Sequence, residues 1–370
     1  TPGIARLTQE FNADLGVVIS ASHNRFFDNG IKFFDGSGSK LSDDIERQIE
    51  ERLAEPAITL ESRALGKAKR IDTARVRYEE FCAASLPDGF DLEGVKIVFD
   101  GANGAGYKVG PRTLANLGAE VIPIGCSPNG RNINDGCGST HPDLLQLTVP
   151  AVKADVGIAL DGDGDRVVMV DENGQLIDGD QLLFVLATAR KAQGLLNGPV
   201  VGTVMSNLGL EHALRDLDIE FQRAKVGDRY VLELLRKNGG VLGGETSGHM
   251  LVLDKTTTGD GLISALQVLT VMKQAGKPLS ALVAGMPRYP QKMVNVRTEQ
   301  RLDPGKSPAI CDAVAKAEGE LAETGRVVLR ASGTEPVIRV MVEGEDEKQV
   351  DSLAERLASV VAAAAASQTQ

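Results

Sequence analysis

Residues 155–170 read DVGIALDGDGDRVVMV, and this stretch decides the fold class. Asp155 to Leu160 is an apolar run of strand length, and β structure resumes at Val167 to Val170 before an Asn173-Gly174 turn. Between the two runs lies the acidic loop Asp161-Gly162-Asp163-Gly164-Asp165-Arg166. The pattern predicts a buried strand that ends in a cluster of carboxylates.

The segments on either side alternate between strand and helix patterns. Upstream, Val95 to Asp100 predicts a strand, followed by a glycine-rich turn at Gly101 to Gly106, a helix and the strand Val121 to Ile124. Downstream, the same order recurs from Gln181 to Lys237 and ends in a hairpin at Val241 to Leu253. Strands that alternate with helices imply parallel pairing and an α/β fold.

The two ends of the chain follow other patterns. Gly16 to Ser20 predicts a strand, and a capped helix follows from Leu41 to Leu53. From Val294 onward, a strand, a helix, two strands around Gly333 and a last helix predict an α+β module. Junctions rich in proline, glycine or acidic residues divide the chain into four predicted domains, residues 1–88, 89–179, 180–289 and 290–370.

Composition excludes several classes of protein. A chain of 370 residues with 42% hydrophobic and 25% charged residues is ordinary globular material, too long for one compact core. The net charge of -11 disfavours nucleic acids and anionic membranes as partners. The four cysteines form no Cys-x-x-Cys pair, which suits a reducing compartment. With no signal peptide or membrane-span pattern, we expect a cytoplasmic protein.

The first polar motif is Ile19-Ser-Ala-Ser22-His23-Asn24, where a predicted strand runs into a loop. It presents a hydroxyl, an imidazole and a carboxamide together, as a nucleophilic serine requires. Taken alone, the motif is more typical of a turn at a strand end. A serine hydrolase is disfavoured, because there is no Gly-x-Ser-x-Gly elbow and the chain has only four histidines.

The acidic loop is the second motif, and its alternate carboxylates predict a site for Mg²⁺ or Ca²⁺. An EF-hand would also place a carboxylate at Glu172, but its sixth position requires glycine and is Arg166 here. Three carboxylates crowded together repel one another unless a cation lies between them. Such a site keeps room for water and one phosphate oxygen.

Two further motifs carry polar groups in glycine-flanked loops. Residues 243–249, Gly-Gly-Glu-Thr-Ser-Gly-His, offer groups that hydrogen-bond a polyol, although a polar hairpin tip is equally consistent with them. Residues 330–336, Arg-Ala-Ser-Gly-Thr-Glu-Pro, with Arg339 beyond, combine hydroxyls, backbone amides and guanidinium groups that suit a phosphate dianion. Incidental surface arginines at a hairpin are disfavoured, because this is local positive charge in an acidic protein.

Together and in this order, the four motifs resemble the α-D-phosphohexomutase superfamily across the whole chain. Thr246 and the segments Lys225 to Val231 and Leu253 to Gly261 are similar to the phosphoglucosamine mutase branch. The resemblance implies four domains around a deep cleft, three of them mixed α/β and the last a TATA-binding-protein-like α+β module. Each domain would contribute one motif.

The implied activity is that of an isomerase, which converts glucosamine 6-phosphate to glucosamine 1-phosphate for UDP-N-acetylglucosamine and peptidoglycan precursors. Ser22 would be the phosphoserine, with glucosamine 1,6-bisphosphate as intermediate and activator. One Mg²⁺ per chain would be bound by the Ser22 phosphate, Asp161, Asp163 and Asp165. The alternatives are a phosphomannomutase or phosphoglucomutase of the same superfamily, and an inactive fragment that binds phosphate and metal.

The resemblance also implies roles for other residues. Those assigned to catalysis are Ser22, His23, Lys32, Arg166 and His249, with the general acid or base left open between Lys32 and His249. Those assigned to substrate binding are Arg229, Glu245, Thr246, Ser247, Arg330, Ser332, Gly333, Thr334 and Arg339. The expected partner is a sugar phosphate, without nucleic acid or membrane. A homodimer, and phosphorylation of Ser22 by a protein kinase or by the chain itself, are further expectations.

Two departures from the family pattern lead to expectations. Arg25 stands where the family usually has proline, so we expect a less rigid serine loop with an added cation near Ser22. The family begins with a strand bearing a Thr-Asp-Gly-Ile-Arg-Gly-like segment and a first β-α unit, and neither occurs here. The first domain is therefore expected to be incomplete, with an exposed sheet edge, which is the ground for the alternative of an inactive fragment.

Overall fold

The computed structural model describes residues 1–298, 303–331 and 336–367. The strands of these residues form four sheets, one after another along the sequence. We call the segments that carry them the first, second, third and fourth domains. Nowhere in the described ranges is a helix long and apolar enough to cross a membrane.

The first domain comprises α1 (Pro2–Glu10), β1 (Leu15–Ser20), β2 (Gly30–Asp35), α2 (Asp43–Leu53) and α3 (Ala74–Ala84). Its two strands pair antiparallel, with Val18 opposite Lys32. Val18 and Phe34 are buried against Ala5 of α1. The predicted strand is confirmed, and the predicted helix begins after Ser42 as expected, but the Ser42 side chain makes no capping hydrogen bond. The sequence pattern does not predict β2, because glycine and charged residues interrupt its apolar alternation.

The second domain comprises β3 (Lys96–Asp100), α4 (Val109–Asn116), β4 (Glu120–Ile124), α5 (Asp143–Ala151), β5 (Val156–Leu160), β6 (Val167–Asp171) and β7 (Leu176–Ile177). The sheet order is β4-β3-β5-β6-β7. β3, β4 and β5 pair parallel, as predicted, but β6 runs antiparallel to β5. The acidic loop is too short for the crossover that a parallel pair needs, so it turns the chain back as a hairpin.

The third domain comprises α6 (Gly179–Ala192), β8 (Val200–Thr203), α7 (Leu208–Asp216), β9 (Phe221–Ala224), α8 (Asp228–Asn238), β10 (Leu242–Gly244), β11 (Met250–Val252), α9 (Gly261–Ala275) and α10 (Leu279–Val283). β8 pairs parallel with β9 and with β10, and β10 and β11 form the predicted hairpin. Residues of the second and third domains share one large apolar core, in which Met169 and Leu183 are fully buried. The two domains therefore pack as one unit.

The fourth domain comprises β12 (Gln291–Arg297), α11 (Pro308–Leu321), β13 (Gly325–Ala331), β14 (Val337–Gly344) and α12 (Glu347–Ser367). Its antiparallel sheet has the order β12-β14-β13 and packs against both helices around a core of its own. The predicted α+β module is confirmed. Three mixed α/β domains and this last one give the four-domain architecture expected from the sequence.

Candidate active site

The serine loop begins where β1 ends. Ser22 adopts a left-handed backbone conformation with φ of 53°. Its N–H donates to the Ser20 hydroxyl at 3.0 Å, and the Asn24 N–H donates to the Ala21 carbonyl at 2.8 Å. Ser22 itself is half-buried, and its Oγ lies 3.4 Å from Nδ1 of His23. Among the described residues, the hydroxyl is hydrogen-bonded only to His23, so it remains available for chemistry.

Asn134 of the second domain holds this loop in place. Its buried amide nitrogen donates to the carbonyl oxygens of Ser22 at 2.8 Å and of Asn24 at 2.7 Å. The acidic loop approaches the same point so closely that a β-carbon at Gly162 would lie 2.5 Å from the Ser22 carbonyl oxygen. Arg25 pairs with Asp135 at 3.5 Å, so its added charge is shared with an acidic neighbour. The serine loop and the acidic loop are thus packed directly against each other.

Asp161, Asp163 and Asp165 are buried together in the acidic loop. One ligand atom from each lies within 4.8 Å of the others. Among the described residues, Asp161 Oδ2, Asp163 Oδ1 and Asp165 Oδ1 have no hydrogen-bond partner. Burial, and then the charges of Asp165 and Asp163, raise the pKa of Asp161 well above its ordinary value. Three buried, closely spaced hard oxygen atoms, of which only Asp165 Oδ1 has a nearby cationic partner in the ranges that the structure describes, namely His249, fit a Mg²⁺ ion.

Lys32 reaches this cluster from β2. Its Nζ donates to Asp163 Oδ2 at 2.6 Å and to Asp165 Oδ2 at 2.9 Å. Burial alone lowers the pKa of Lys32, but the carboxylates of Asp165 and Asp163 outweigh burial, and the net shift is upward. The amino group of Thr1 also contacts the cluster, through the Asp163 carbonyl oxygen at 2.6 Å. Lys32 therefore adds a fixed positive charge beside the carboxylates.

His249 joins the acidic loop to the third domain. The side chain is buried, with Nδ1 3.5 Å from Asp165 Oδ1 and Nε2 3.4 Å from Asp228 Oδ2. Burial raises the pKa of Asp165, but His249 and Lys32 outweigh burial, and the net shift is strongly downward. Asp228 also pairs with Lys40 of the first domain. Acidic and basic side chains from three domains thus alternate along one row of contacts, in the order Lys32, Asp165, His249, Asp228 and Lys40.

The sugar loop, residues 243–249, runs from the end of β10 to the start of β11 and holds the three residues predicted to bind the sugar. Glu245 Oε1 accepts from the Gly227 N–H at 3.0 Å, which leaves the other carboxylate oxygen for a ligand. Ser247 is exposed. The Thr246 hydroxyl donates to Asp180 Oδ2 at 2.8 Å, so only its acceptor lone pairs remain for a substrate.

Two predicted arginines lie at the edges of this cluster. Arg166 donates its backbone N–H to Asp161 Oδ1 at 3.0 Å, and its Nε is buried without a hydrogen-bond partner among the described residues. Arg229 pairs with Glu46 of α2 at 2.7 Å and lines a cavity of about 630 Å³ between the first and third domains. Its predicted role in substrate binding stays a prediction.

Arg330 and Arg339 lie directly opposite each other on β13 and β14. Burial, and then the charge of Arg339, lower the pKa of Arg330, while Glu245 raises it. Like charges at opposed positions destabilise a sheet, and a bound anion would relieve the repulsion. Neither arginine forms an ion pair within the described part of the chain. Ser332, Gly333 and Thr334, predicted to complete this phosphate site, lie outside the described residues.

Sequence reasoning missed three residues that shape the site, Asn134, Asp180 and Asp228. Asn134 stands in an asparagine- and glycine-rich loop that looks like an ordinary turn, so no local pattern marks it. Asp180 lies at a predicted domain junction. Asp228 lies in the segment Lys225 to Val231, which the family resemblance had already singled out.

Comparison with known proteins matches this organisation domain by domain. Models of the phosphoglucomutase/phosphomannomutase family match residues 1–58 as domain I, 82–174 as domain II, 178–289 as domain III and 293–360 as the C-terminal domain. A phosphoglucosamine mutase of Aeromonas salmonicida is 55% identical over 364 residues, which are 98% of this chain and 82% of the relative. The chain belongs to the phosphoglucosamine mutase family.

Solved structures share the fold of this mutase family. A phosphoglucomutase/phosphomannomutase family protein of Burkholderia thailandensis superposes with a TM-score of 0.77 at 24% identity, over 95% of this chain and 76% of that one. An N-acetylphosphoglucosamine mutase of Aspergillus fumigatus, solved with GlcNAc-6P and magnesium, gives a TM-score of 0.72 at 18% identity, over 98% and 93% of the two chains. At these identities the likeness concerns the fold alone.

Proposed function

We propose that this chain interconverts glucosamine 6-phosphate and glucosamine 1-phosphate, with Ser22 as the phosphoryl carrier. The observation that carries the proposal is the direct packing of the serine loop against the acidic loop. Asn134 fixes both carbonyls around Ser22, while Gly162 packs against the same turn. A nucleophilic hydroxyl is thereby held beside three buried carboxylates, as phosphoryl transfer requires.

The residues proposed to hold one Mg²⁺ are Asp161, Asp163 and Asp165. When bound, Mg²⁺ would supply charge stabilisation for the phosphoryl group that Ser22 carries. Lys32 and the Arg166 guanidinium add positive charge from the protein itself. These groups reduce the repulsion between a phosphorylated Ser22 and the acidic loop.

In the first half-reaction, the bond between phosphorus and Ser22 Oγ breaks while a bond to a sugar hydroxyl oxygen forms. Of the two candidates for the acid–base role, Lys32 is already protonated because its pKa is raised, so it can act only as the acid that returns a proton to Ser22 Oγ. The proton of the sugar hydroxyl is therefore assigned to His249. The product is glucosamine 1,6-bisphosphate, which also serves as activator. After it reorients, its other phosphoryl group returns to Ser22 by the reverse of these steps.

Substrate binding is assigned to the sugar loop and the fourth domain. Glu245 and Ser247 would hydrogen-bond the sugar hydroxyls, and Arg330 and Arg339 would bind the phosphate that does not react. The opposed arginines need an anion between them, which supports this assignment. One anchor can then serve both half-reactions, because each sugar orientation leaves one phosphate there.

The test is intact-mass analysis of the chain after incubation with glucosamine 1,6-bisphosphate and Mg²⁺. We expect an adduct of one phosphoryl group on Ser22, which is lost when glucosamine 6-phosphate is added. Ser22→Ala should form no adduct and show no turnover. Absence of the adduct in the wild-type chain, or full activity in Ser22→Ala, would contradict the mechanism. Equal turnover of glucose or mannose phosphates would instead favour another mutase of the superfamily.

A further inference from the structure

The first turn of α6 packs against the sugar loop and is hydrogen-bonded to it. The Gly179 N–H donates to the Thr246 carbonyl at 3.1 Å, and the Thr246 hydroxyl donates to Asp180 at 2.8 Å. A β-carbon at Gly179 would collide with the carbonyl oxygen of Glu245, so glycine is needed for this approach. Thr246 is therefore held through both its backbone and its side chain, between the two residues assigned to the sugar.

The same oxygen of Asp180 accepts a second bond from the start of α7. The Asn207 N–H donates to Asp180 Oδ2 at 2.8 Å. Since Asp180 is fully buried, this carboxylate has no access to solvent and depends on these donors. Asp180 is thus one buried residue that is hydrogen-bonded both to the sugar loop and to the start of α7.

The start of α7 is also where the fourth domain docks. The Asn207 side chain exchanges two hydrogen bonds with the backbone of Tyr289, at 2.9 and 3.0 Å, just before β12 begins. The next N–H, that of Leu208, donates to the buried Glu343 of β14 at 2.8 Å. β14 is the strand that carries Arg339. A short chain of hydrogen bonds therefore runs from the sugar loop through Asp180 to the strand of the phosphate site.

We propose that Asp180 is a positioning residue, which fixes the sugar loop relative to the fourth domain. It would hold Glu245 and Ser247 at the distance from Arg330 and Arg339 that one sugar phosphate spans. This inference rests on the proposed function, because it assigns no new reaction. Binding groups supported by buried hydrogen bonds keep their geometry at little entropic cost when the substrate arrives.

The first test compares Thr246→Val with Thr246→Ser. Valine removes the hydroxyl that donates to Asp180, whereas serine retains it. We expect Thr246→Val to raise KM for glucosamine 6-phosphate about tenfold, the loss typical of a hydrogen bond to a charged acceptor. Thr246→Ser should recover a KM within about threefold of wild type. The matched control is Thr188→Val in α6, because the Thr188 hydroxyl has no hydrogen-bond partner in the described residues.

The second test adds Asp180→Ala, which removes the acceptor of both hydrogen bonds, and the double variant Asp180→Ala/Thr246→Val. If the two residues act on KM through their mutual hydrogen bond, the double variant will raise KM by less than the product of the two single-variant factors. Hydrogen exchange without substrate gives a readout that does not depend on turnover. The amides of residues 245–248 should exchange faster in Thr246→Val, and both these and the Asn207 amide should exchange faster in Asp180→Ala.

Several outcomes would overturn the inference. One is a KM within twofold of wild type in Thr246→Val together with a lowered Tm, which would show a purely structural role. A second is a KM raised as much in Thr246→Ser as in Thr246→Val. A third is a KM in the double variant that is raised by the full product of the two single-variant factors. If the wild-type chain shows no mutase turnover, the proposed function fails, and unchanged exchange at residues 245–248 in both variants would separately refute the role of Asp180.

Discussion

Ser22 illustrates how a site residue is held in an unfavourable conformation. A non-glycine residue at φ of 53° is costly by roughly 1 kcal/mol, and it persists only when its surroundings determine it. One hydrogen bond that holds Ser22 in this conformation is local, and another comes from a distant part of the chain. Ser20 accepts from the Ser22 N–H within the turn, and Asn134 binds the Ser22 carbonyl from 112 residues away. These two hydrogen bonds to the Ser22 backbone hold the hydroxyl in position before the substrate binds.

Replacement of Asn134 by alanine should remove the hydrogen bonds to the carbonyl oxygens of Ser22 and Asn24. We expect kcat to fall about tenfold to hundredfold, because a displacement of the nucleophile by about 1 Å can have an effect of this size. The rise in Tm caused by Mg²⁺ should persist, since the carboxylates are untouched. Steady-state kinetics and thermal melts measure the two effects. Asn129→Ala, an exposed residue of the same loop, is the control, and equal kcat in both variants would contradict the prediction.

Replacement of Asp163 by asparagine should remove one of the three predicted metal ligands. In the wild-type chain, Mg²⁺ is expected to raise Tm, because a ligand that binds only the folded state stabilises it. In Asp163→Asn we expect this rise to be lost and turnover to fall severely. Thermal melts with increasing Mg²⁺ measure the effect, with exposed Asp135→Asn as control. A rise in Asp163→Asn as large as in wild type would refute this metal site.

At the scale of elements, two helices of the third domain begin with buried carboxylates. Asp178 caps α6 in a capping box with Gln181, and Asp260 caps α9 by accepting from the Ile263 N–H at 2.9 Å. Asp260 also accepts from the Tyr78 hydroxyl of α3 at 2.7 Å. Each cap satisfies N–H groups that a helix start leaves without partners. The caps thus fix where each helix begins and which neighbour it contacts.

The cap at Asp260 should make stability depend on pH. Burial raises the pKa of Asp260 to about 6, from 3.8, so the folded chain binds this proton more tightly than the unfolded chain. The stabilisation is present at low pH and is lost as the pH rises through about 6. Between pH 4.5 and 7.5, wild type should lose about 2 kcal/mol relative to Asp260→Asn, which cannot titrate.

Urea denaturation of the two proteins at both pH values measures this difference. Titrations elsewhere in the chain affect wild type and Asp260→Asn alike, so they cancel in the comparison. A difference in stability that stays constant between the two pH values would show that the pKa of Asp260 is not raised.

At the scale of the molecule, the fourth domain is attached by a buried ion pair. Glu343 of β14 is fully buried and accepts from Arg326 Nε at 2.7 Å. The same guanidinium donates to the carbonyls of Val204 and Ser206 in the third domain, at 2.9 and 2.6 Å. Arg326 therefore binds two domains at once, and Glu343 neutralises it there.

Replacement of Glu343 by glutamine should leave the Arg326 charge buried and unpaired. Loss of one partner of a buried pair typically costs about 3 kcal/mol, which urea denaturation would detect. The matched control is Glu320→Gln, because Glu320 and its partner Arg356 in the same domain are both solvent-exposed, and its effect should be at most about 1 kcal/mol. An effect of Glu343→Gln no larger than that of the control would contradict a role for this pair in domain attachment.

The sequence alone predicted most of the strands, though not β2, together with the order of the four motifs and the three carboxylates of the acidic loop. These features depend on neighbours along the chain, since apolar alternation, turn residues and closely spaced aspartates are local patterns. The α/β and α+β character of the successive domains followed in the same way and is confirmed. The family resemblance then joined the four motifs into one site.

Only the tertiary structure decided what holds these motifs together. The antiparallel hairpin of β5 and β6, the placement of Lys32 between two aspartates, and the contacts of Asn134 and Asp180 all join groups whose pairing no local pattern encodes. Asn134 and Asp180 look like ordinary turn and helix-start residues in the sequence. Their roles arise because packing excludes water around them, so that each buried polar group must find its partner in another part of the chain.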